Sequence, residues 1–282
     1  MHASVIRLQA MIDWNPNDPS CIYSTLCFVA SECKKLNIQT PVITFDQPLW
    51  LKAVNIVNNF GHNVICRLGT FHLEMSFLGS LGTLMAGSGL SDVMECCYGP
   101  NTVKQIMTGK AVARAVRGHF MVEAALTVML LKLVLASGTF SADMTEVQAF
   151  YSHIVNNGFS NNSEFPLGLF RIEEVLADLK INLAMESRTA KLWLQYVNYV
   201  SLLKMLWRAE RTADWQLHLV TVTQMINLFA ATGHTNHAKC GRLYIEMMSE
   251  LPVTHPELHD QLMPGAILLD EVTNYGVVCQ LT

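Results

Sequence analysis

Asp46 and His72 are the residues whose placement most invites chemistry. Asp46 follows the β-branched run Val42-Ile43-Thr44-Phe45, and His72 closes the turn Gly69-Thr70-Phe71-His72 after the apolar run Val64-Ile65-Cys66. Between them, Leu49, Trp50, Ala53, Val54 and Val57 recur at helical spacing and Gly61 stands where a helix would stop. Strand, helix, strand, helix is the order of a βαβ unit with a parallel pair. Ligands of such sheets sit beyond the carboxyl ends of the strands, where this order puts Asp46 and the turn ending in His72. Both residues have a structural alternative. Asp46 precedes Gln47-Pro48, so it can cap a helix whose first turn tolerates proline. His72 can be a hydrogen-bonded histidine at a helix start.

A second group of charged residues surrounds Trp207 and Trp215: Arg208, Glu210, Arg211, Asp214 and His218. It reads either as a solvated helix end with weak ion pairs, or as the place where Glu210 supplies a metal-binding carboxylate brought near Asp46 by the fold. His234, His237 and Cys240 recur three apart, and imidazole with thiolate suits zinc. No fourth ligand stands at a suitable spacing, so polar surface histidines at a helix start are the simpler reading. Gly82 and Gly87 have P-loop spacing, but Ser88 replaces the lysine and the loop follows a helix, so a phosphate loop is excluded.

The elements that must position these groups are mostly helices. Residues 1–14 begin helically (Val5, Leu8, Met11, Ile12), and residues 20–35 form a helix with Ser20 as its cap. Residues 41–85 hold the βαβ unit, and residues 91–97 form a short helix capped by Ser91. The longest helical signal, 102–135, is divisible at Gly109 and Gly118, and residues 156–168 form a loop. Further helices cover 172–183, 189–211, 214–231 and 236–251, the last ended by Pro252, and Val277-Val278-Cys279 forms a short tail strand. The fold class is therefore an α/β core fragment of short parallel strands with a large all-α region, mostly helical overall. The expected division is 1–90 for the core part, 91–206 for a helical insertion, and 207–282 for a helical part that returns to the core.

The chain has 282 residues, 51 % hydrophobic and only 15 % charged, with net charge −4. A chain this long can bury a large core, and its charge balance lacks the positive field of a stand-alone nucleic-acid binder. The low charge content and 15 methionines fit a partner-covered apolar face. Eight scattered cysteines suit a reducing compartment. No basic region followed by an apolar one opens the sequence, so no signal peptide is expected. The apolar stretch 120–140 is interrupted by Glu123 and Lys132 and reads as a buried helix, so no membrane partner is expected and the location is nuclear or cytoplasmic.

Long segments carry a resemblance: ITFDQPLWLKA, RLGTFHLEMSFLGSLGTLMAGSGL, GKAVARAVRGHF, AKLWLQYV, RAERTADWQLHL and GHTNHAKCGRLY. Together they resemble a family of uncharacterised, mobile-element-derived proteins of invertebrate genomes, over roughly residues 10 to 255. More distantly, the chain is similar to ribonuclease-H-like transposases of the hAT type. That resemblance implies Asp46 as a catalytic acid after a strand, His72 as the histidine of the following turn, and Glu210 as the last acid, with Glu246 the alternative. It implies a helical insertion between them, and Mg²⁺ or Mn²⁺ held by Asp46 and Glu210 to cleave and transfer DNA strands. Three acids are normally needed, and no strand carrying the first precedes Asp46. The expectation is a transposase remnant inactive by itself, with DNA, self-association or a longer parent protein as partners. The alternative is a non-catalytic helical interaction module.

Overall fold

The structure, a computed structural model, describes residues 15–61, 63–136, 144–157, 167–263 and 278–281. The elements run α1 (Pro19–Lys35), β1 (Val42–Phe45), α2 (Gln47–Phe60), β2 (Ile65–Leu68), α3 (Thr70–Leu84), α4 (Leu90–Glu95), α5 (Pro100–Met107) and α6 (Val112–Ala136). They continue with α7 (Met144–Asn157), α8 (Leu167–Glu186), α9 (Arg188–Thr212), α10 (Trp215–Ala231), α11 (Thr235–Ser249), α12 (Leu251–Thr254), α13 (Pro256–Leu262) and β3 (Val278–Leu281). The chain is mostly helical and holds one small parallel sheet, as its periodicities require. The expected helix at 1–14, the loop centre at 158–166 and Val277 lie outside the described residues.

The sheet order is β2-β1-β3. β1 pairs in parallel with β2, from Val42 opposite Ile65 to Phe45 opposite Leu68, and in parallel with β3, from Val42 opposite Val278 to Phe45 opposite Leu281. A parallel pair needs a crossover, and α2 is that crossover. Its start is set by the Asp46 carboxylate, which accepts the Leu49 N–H at 3.2 Å, and its end by Gly61 in the left-handed region at φ 65°.

By contacts the chain divides into two units. One comprises Met1–Leu84, Pro100–Ala115 and Ser201–Thr282. Its core gathers Phe45, Trp50, Phe77, Phe229 and Tyr244, all essentially without solvent exposure, each burial contributing roughly 1.5–3 kcal/mol. Phe77 and Phe229 meet edge to face at 6.1 Å, as do Trp50 and Tyr244. α1 packs on α2, α10 on α3 and α11, and α11 on α2 and β2. α3 and α5 meet at Gly82, where a Cβ would stand 1.9 Å from the Met107 carbonyl oxygen. Only glycine fits there, a packing reason for a residue whose spacing resembles a phosphate loop.

The other unit comprises Met85–Gly99 and Val116–Val200. It packs α7 on α8, and on α6 and α9 it buries a polar pair, His119 Nδ1 to the Tyr196 hydroxyl at 2.8 Å. Burial lowers His119 to about 4, so the ring is neutral; Nδ1 is hydrogen-bonded with Tyr196 and Nε2 has no partner.

Several boundaries differ from expectation for identifiable reasons. α1 is capped by Asp18, which accepts the Ser20 N–H at 2.9 Å, because Pro19 occupies the first turn and moves the start upstream of Ser20. α4 starts after Gly89 with no side-chain cap, so Ser91 lies inside it. Gly109 (φ 73°) does separate α5 from α6, whereas Gly118 is absorbed within α6. Pro252 ends α11 but sits in the first turn of α12, where its missing N–H costs nothing. Among the described residues, α6 is the one helix long and apolar enough to cross a membrane, and 28 % of its most apolar window is buried.

Candidate functional site

The carboxyl ends of β1 and β2 open on a cavity of about 340 Å³ lined by Thr44, Arg67, Thr70, Phe71, Glu74, Trp207, Glu210 and Arg211. Beside it the two strand ends approach closely. The Gly69 N–H donates to the Phe45 carbonyl at 2.7 Å, and a Cβ on Gly69 would lie 2.9 Å from that oxygen. α3 starts immediately afterwards, with its positive dipole end at Thr70. Helical period then sorts its side chains. Thr70 and Glu74, four apart, face the cavity.

His72 and Ser76 share another face of α3. There Ser76 Oγ lies 2.9 Å from His237 Nε2, and His72 sits edge-on to Phe71 at 5.6 Å. Burial first, then the nearby His234 and His72, lowers His237 to about 4. Its ring is therefore neutral, and its Nε2 is hydrogen-bonded with the Ser76 hydroxyl. The His234, His237 and Cys240 triplet is divided between separate partners, since Cys240 is buried and accepts from Gln47 Nε2 at 3.3 Å.

Glu210, 143 residues downstream of Arg67, reaches the strand ends from α9. Arg67 Nη2 donates to both of its oxygens, at 2.7 and 3.0 Å. On the other side, His218 Nδ1 lies 2.8 Å from Glu210 Oε1, while His218 Nε2 lies 3.2 Å from the Tyr244 hydroxyl. Burial pushes the Glu210 carboxyl up, but the hydrogen bond from His218 and the Arg67 charge outweigh it and hold it at about 2. Burial lowers His218, which is therefore neutral, with Nδ1 turned toward Glu210 and Nε2 toward the Tyr244 hydroxyl. Trp215 stacks on His218 at 5.5 Å with rings 14° apart, and the Arg67 guanidinium stands 6.0 Å from Trp215. Burial would depress Arg67, but Tyr244 and Glu210 keep it firmly protonated. The result is a partly buried Arg67–Glu210–His218–Tyr244 chain carrying one balanced charge pair.

Across the cavity, Trp207 Nε1 donates to Glu74 Oε1 at 2.7 Å, and Arg211 covers the Trp207 ring at 4.5 Å. Burial raises the Glu74 carboxyl; the Trp207 bond opposes this and the Glu210 charge adds to it. The cluster that read as a solvated helix end is thus divided by function. Glu210 and His218 turn inward, Arg211 lies on Trp207, and Asp214 caps α10 by accepting the Leu217 N–H at 2.9 Å.

Of the three residues singled out by sequence, only Glu210 lines the cavity. Asp46 follows β1 and caps α2, and His72 belongs to the Ser76 face of α3. Nor does the site suit a divalent cation as it stands. Both Glu210 oxygens are taken, and the cation nearest them is the Arg67 guanidinium. Among the described residues, no group of three or more His, Cys, Asp or Glu side chains is arranged to hold a metal. Sequence reasoning passed over Arg67, Thr44 and Glu74. Two of these had a readable signal, an arginine inside the strand Ile65–Leu68 and a lone acid in the apolar start of α3, since buried charges are rare without partners.

No curated protein and no solved structure matches the chain. One family model does, across residues 1–267, and the chain belongs to that family, described as Domain of unknown function (DUF8702).

Proposed function

We propose that the chain is a transposase-derived, ribonuclease-H-like core that does not cleave DNA by itself, its acids having structural roles. The observation that carries this reading is the position of Glu210. It returns to the end of β2 after a long helical excursion, as the last acid of an interrupted nuclease core would, and is used there as counter-ion to Arg67 with His218 Nδ1 close on its other side. Asp46 is likewise engaged as a helix cap. Ancestral chemistry in this reading is metal-dependent strand cleavage and transfer, and the surviving product is a folded scaffold. The test is nicking of supercoiled DNA in Mg²⁺ or Mn²⁺ by the chain and by its Asp46→Asn and Glu210→Gln variants. The expected result is no metal-dependent nicking beyond that of the variants. Nicking lost in both variants would overturn the reading.

A second reading is favoured by α6, a non-catalytic interaction module. Met121, Val128, Met129 and Leu133 are exposed on α6 at helical spacing, so one face of this helix is largely apolar and open. Self-association through that face predicts concentration-dependent elution in size-exclusion chromatography, abolished by Met129→Lys with Leu133→Lys. A wild-type chain that elutes as a monomer at every concentration would count against it.

A further inference from the structure

One face of α6 carries cations and hydrocarbon but no acid. Arg117, Met121, Val128, Met129, Lys132 and Leu135 are exposed at the three-and-four spacing of a single helical stripe. Its four large apolar members are 47–61 % exposed. The packed face lies opposite, where Val116, Leu130, Val134 and Glu123 are buried. From Cys96 to Ala142, Glu123 is the only acid, so no carboxylate stands among the exposed cations. A water-facing stripe ordinarily shows the reverse pattern, polar with charges of both signs. The stretch reads in the sequence as a buried helix, yet only 28 % of its most apolar window is buried in the fold.

Each possible cover of this stripe makes a different demand. A nucleic-acid backbone is held by cations and gains little from Met121, Val128, Met129 and Leu135. A second copy laying α6 on α6 brings the same acid-free stripe, so Arg117 and Lys132 find no partner of opposite charge. An anionic lipid surface answers both halves of the pattern: acyl chains take the apolar groups and headgroup phosphates take the cations. Arg117 and Lys132 bracket the apolar centre, about 22 Å apart along the axis at about 1.5 Å per residue. Their long stems let the charges stay at headgroup level while the stripe between them sinks.

We propose that α6 lies in the plane of an anionic lipid bilayer surface, with Met121, Val128, Met129 and Leu135 in the outer acyl layer and Arg117 and Lys132 on headgroup phosphates. The placement is in-plane and not spanning, because Val116, Leu130 and Val134 keep the other face buried against protein. The proposal rests on the interaction-module reading of α6 and names lipid, not a second copy, as the cover of its open face.

The test is co-flotation of the full chain with vesicles of phosphatidylcholine mixed with phosphatidylserine, and with vesicles of phosphatidylcholine alone. Saturable flotation with the mixed vesicles is expected, weakened by added salt. Each cation near an anionic leaflet contributes roughly fivefold in affinity. Binding should therefore be roughly thirtyfold weaker on phosphatidylcholine alone, and weaker by the same factor on mixed vesicles for Arg117→Gln with Lys132→Gln. Val128→Glu with Met129→Glu should abolish flotation. All four positions are exposed, so circular dichroism and Tm should match the wild type. If the glutamate pair fails to fold, the glutamine pair carries the decision. No flotation with mixed vesicles, equal flotation with both compositions, or flotation unchanged in the variants would overturn the proposal. Concentration-dependent oligomers that do not float would also overturn it, while leaving the interaction-module reading intact.

Discussion

Replacing Glu210 by Gln keeps the shape of the side chain and removes its charge, which isolates the ion chain at the strand ends. The carboxyl lies at about 2 in the folded protein against 4.5 when free. At 1.36 kcal/mol per unit this corresponds to about 3 kcal/mol of stability. The folded value is depressed, so that stability is present in full above pH 4.5 and is lost as pH falls toward 2. Breaking a buried pair gives a similar figure, roughly 3–5 kcal/mol, because the surviving partner is left uncompensated. Here the Arg67 side chain is 13 % exposed and that of Glu210 28 %, which places the cost at the lower end. Glu210→Gln should therefore unfold in urea with about 3 kcal/mol less stability at pH 7. The deficit should shrink steadily as pH falls through the window from 4.5 to about 2. A deficit under about 0.5 kcal/mol at pH 7, the size of an unremarkable surface change, would refute the reasoning. So would a deficit of constant size across the pH range. An increase in stability would refute it more strongly, since relief of repulsion between crowded acids is what a metal-binding role predicts in metal-free buffer.

Two other predictions test the remaining roles. Asp46→Ala should cost about 1 kcal/mol through the lost cap on the Leu49 N–H, whereas Asp46→Asn should cost only a few tenths; equal losses in urea would deny the capping role. His119 is held at about 4 against 6.5 in the unfolded chain, so stability should fall as pH drops from 6.5 to about 4, by about 3 kcal/mol from this residue. His119→Gln should flatten that part of the stability–pH curve, and an unchanged slope would show that the imidazole is already charged in the folded state.

Much of the scaffold was legible because its signals are local. The run Val42-Ile43-Thr44-Phe45, the amphipathic spacing of Leu49, Trp50, Ala53 and Val54, and Gly61 at a helix end each report on a few neighbouring residues. The structure realises them as β1, α2 and its left-handed cap. Asp46 as a cap was readable for the same reason, from Pro48 beside it. The site was harder because its partners are remote. Glu210 looked like a solvated acid among arginines, and what holds it is Arg67, 143 residues away, with His218 on the following helix. His72 and Thr70 were read as one turn, but the helix begins at Thr70, and residues two apart on a helix face different ways. That single offset sends His72 to Ser76 and His237 and leaves Thr70 in the cavity. Ser20 and Ser91 were plausible caps by residue type, displaced because Pro19 and Gly89 set the helix starts one or two positions earlier.

The central claim is that Glu210 serves Arg67 and His218 and not a metal ion. Titration of the chain with Mn²⁺, followed by the electron paramagnetic resonance signal of the free ion, addresses it directly. The account predicts a free-ion signal that rises in proportion to added Mn²⁺, identically for the wild type and Glu210→Gln. Stoichiometric loss of that signal in the wild type, restored by Glu210→Gln, would contradict it.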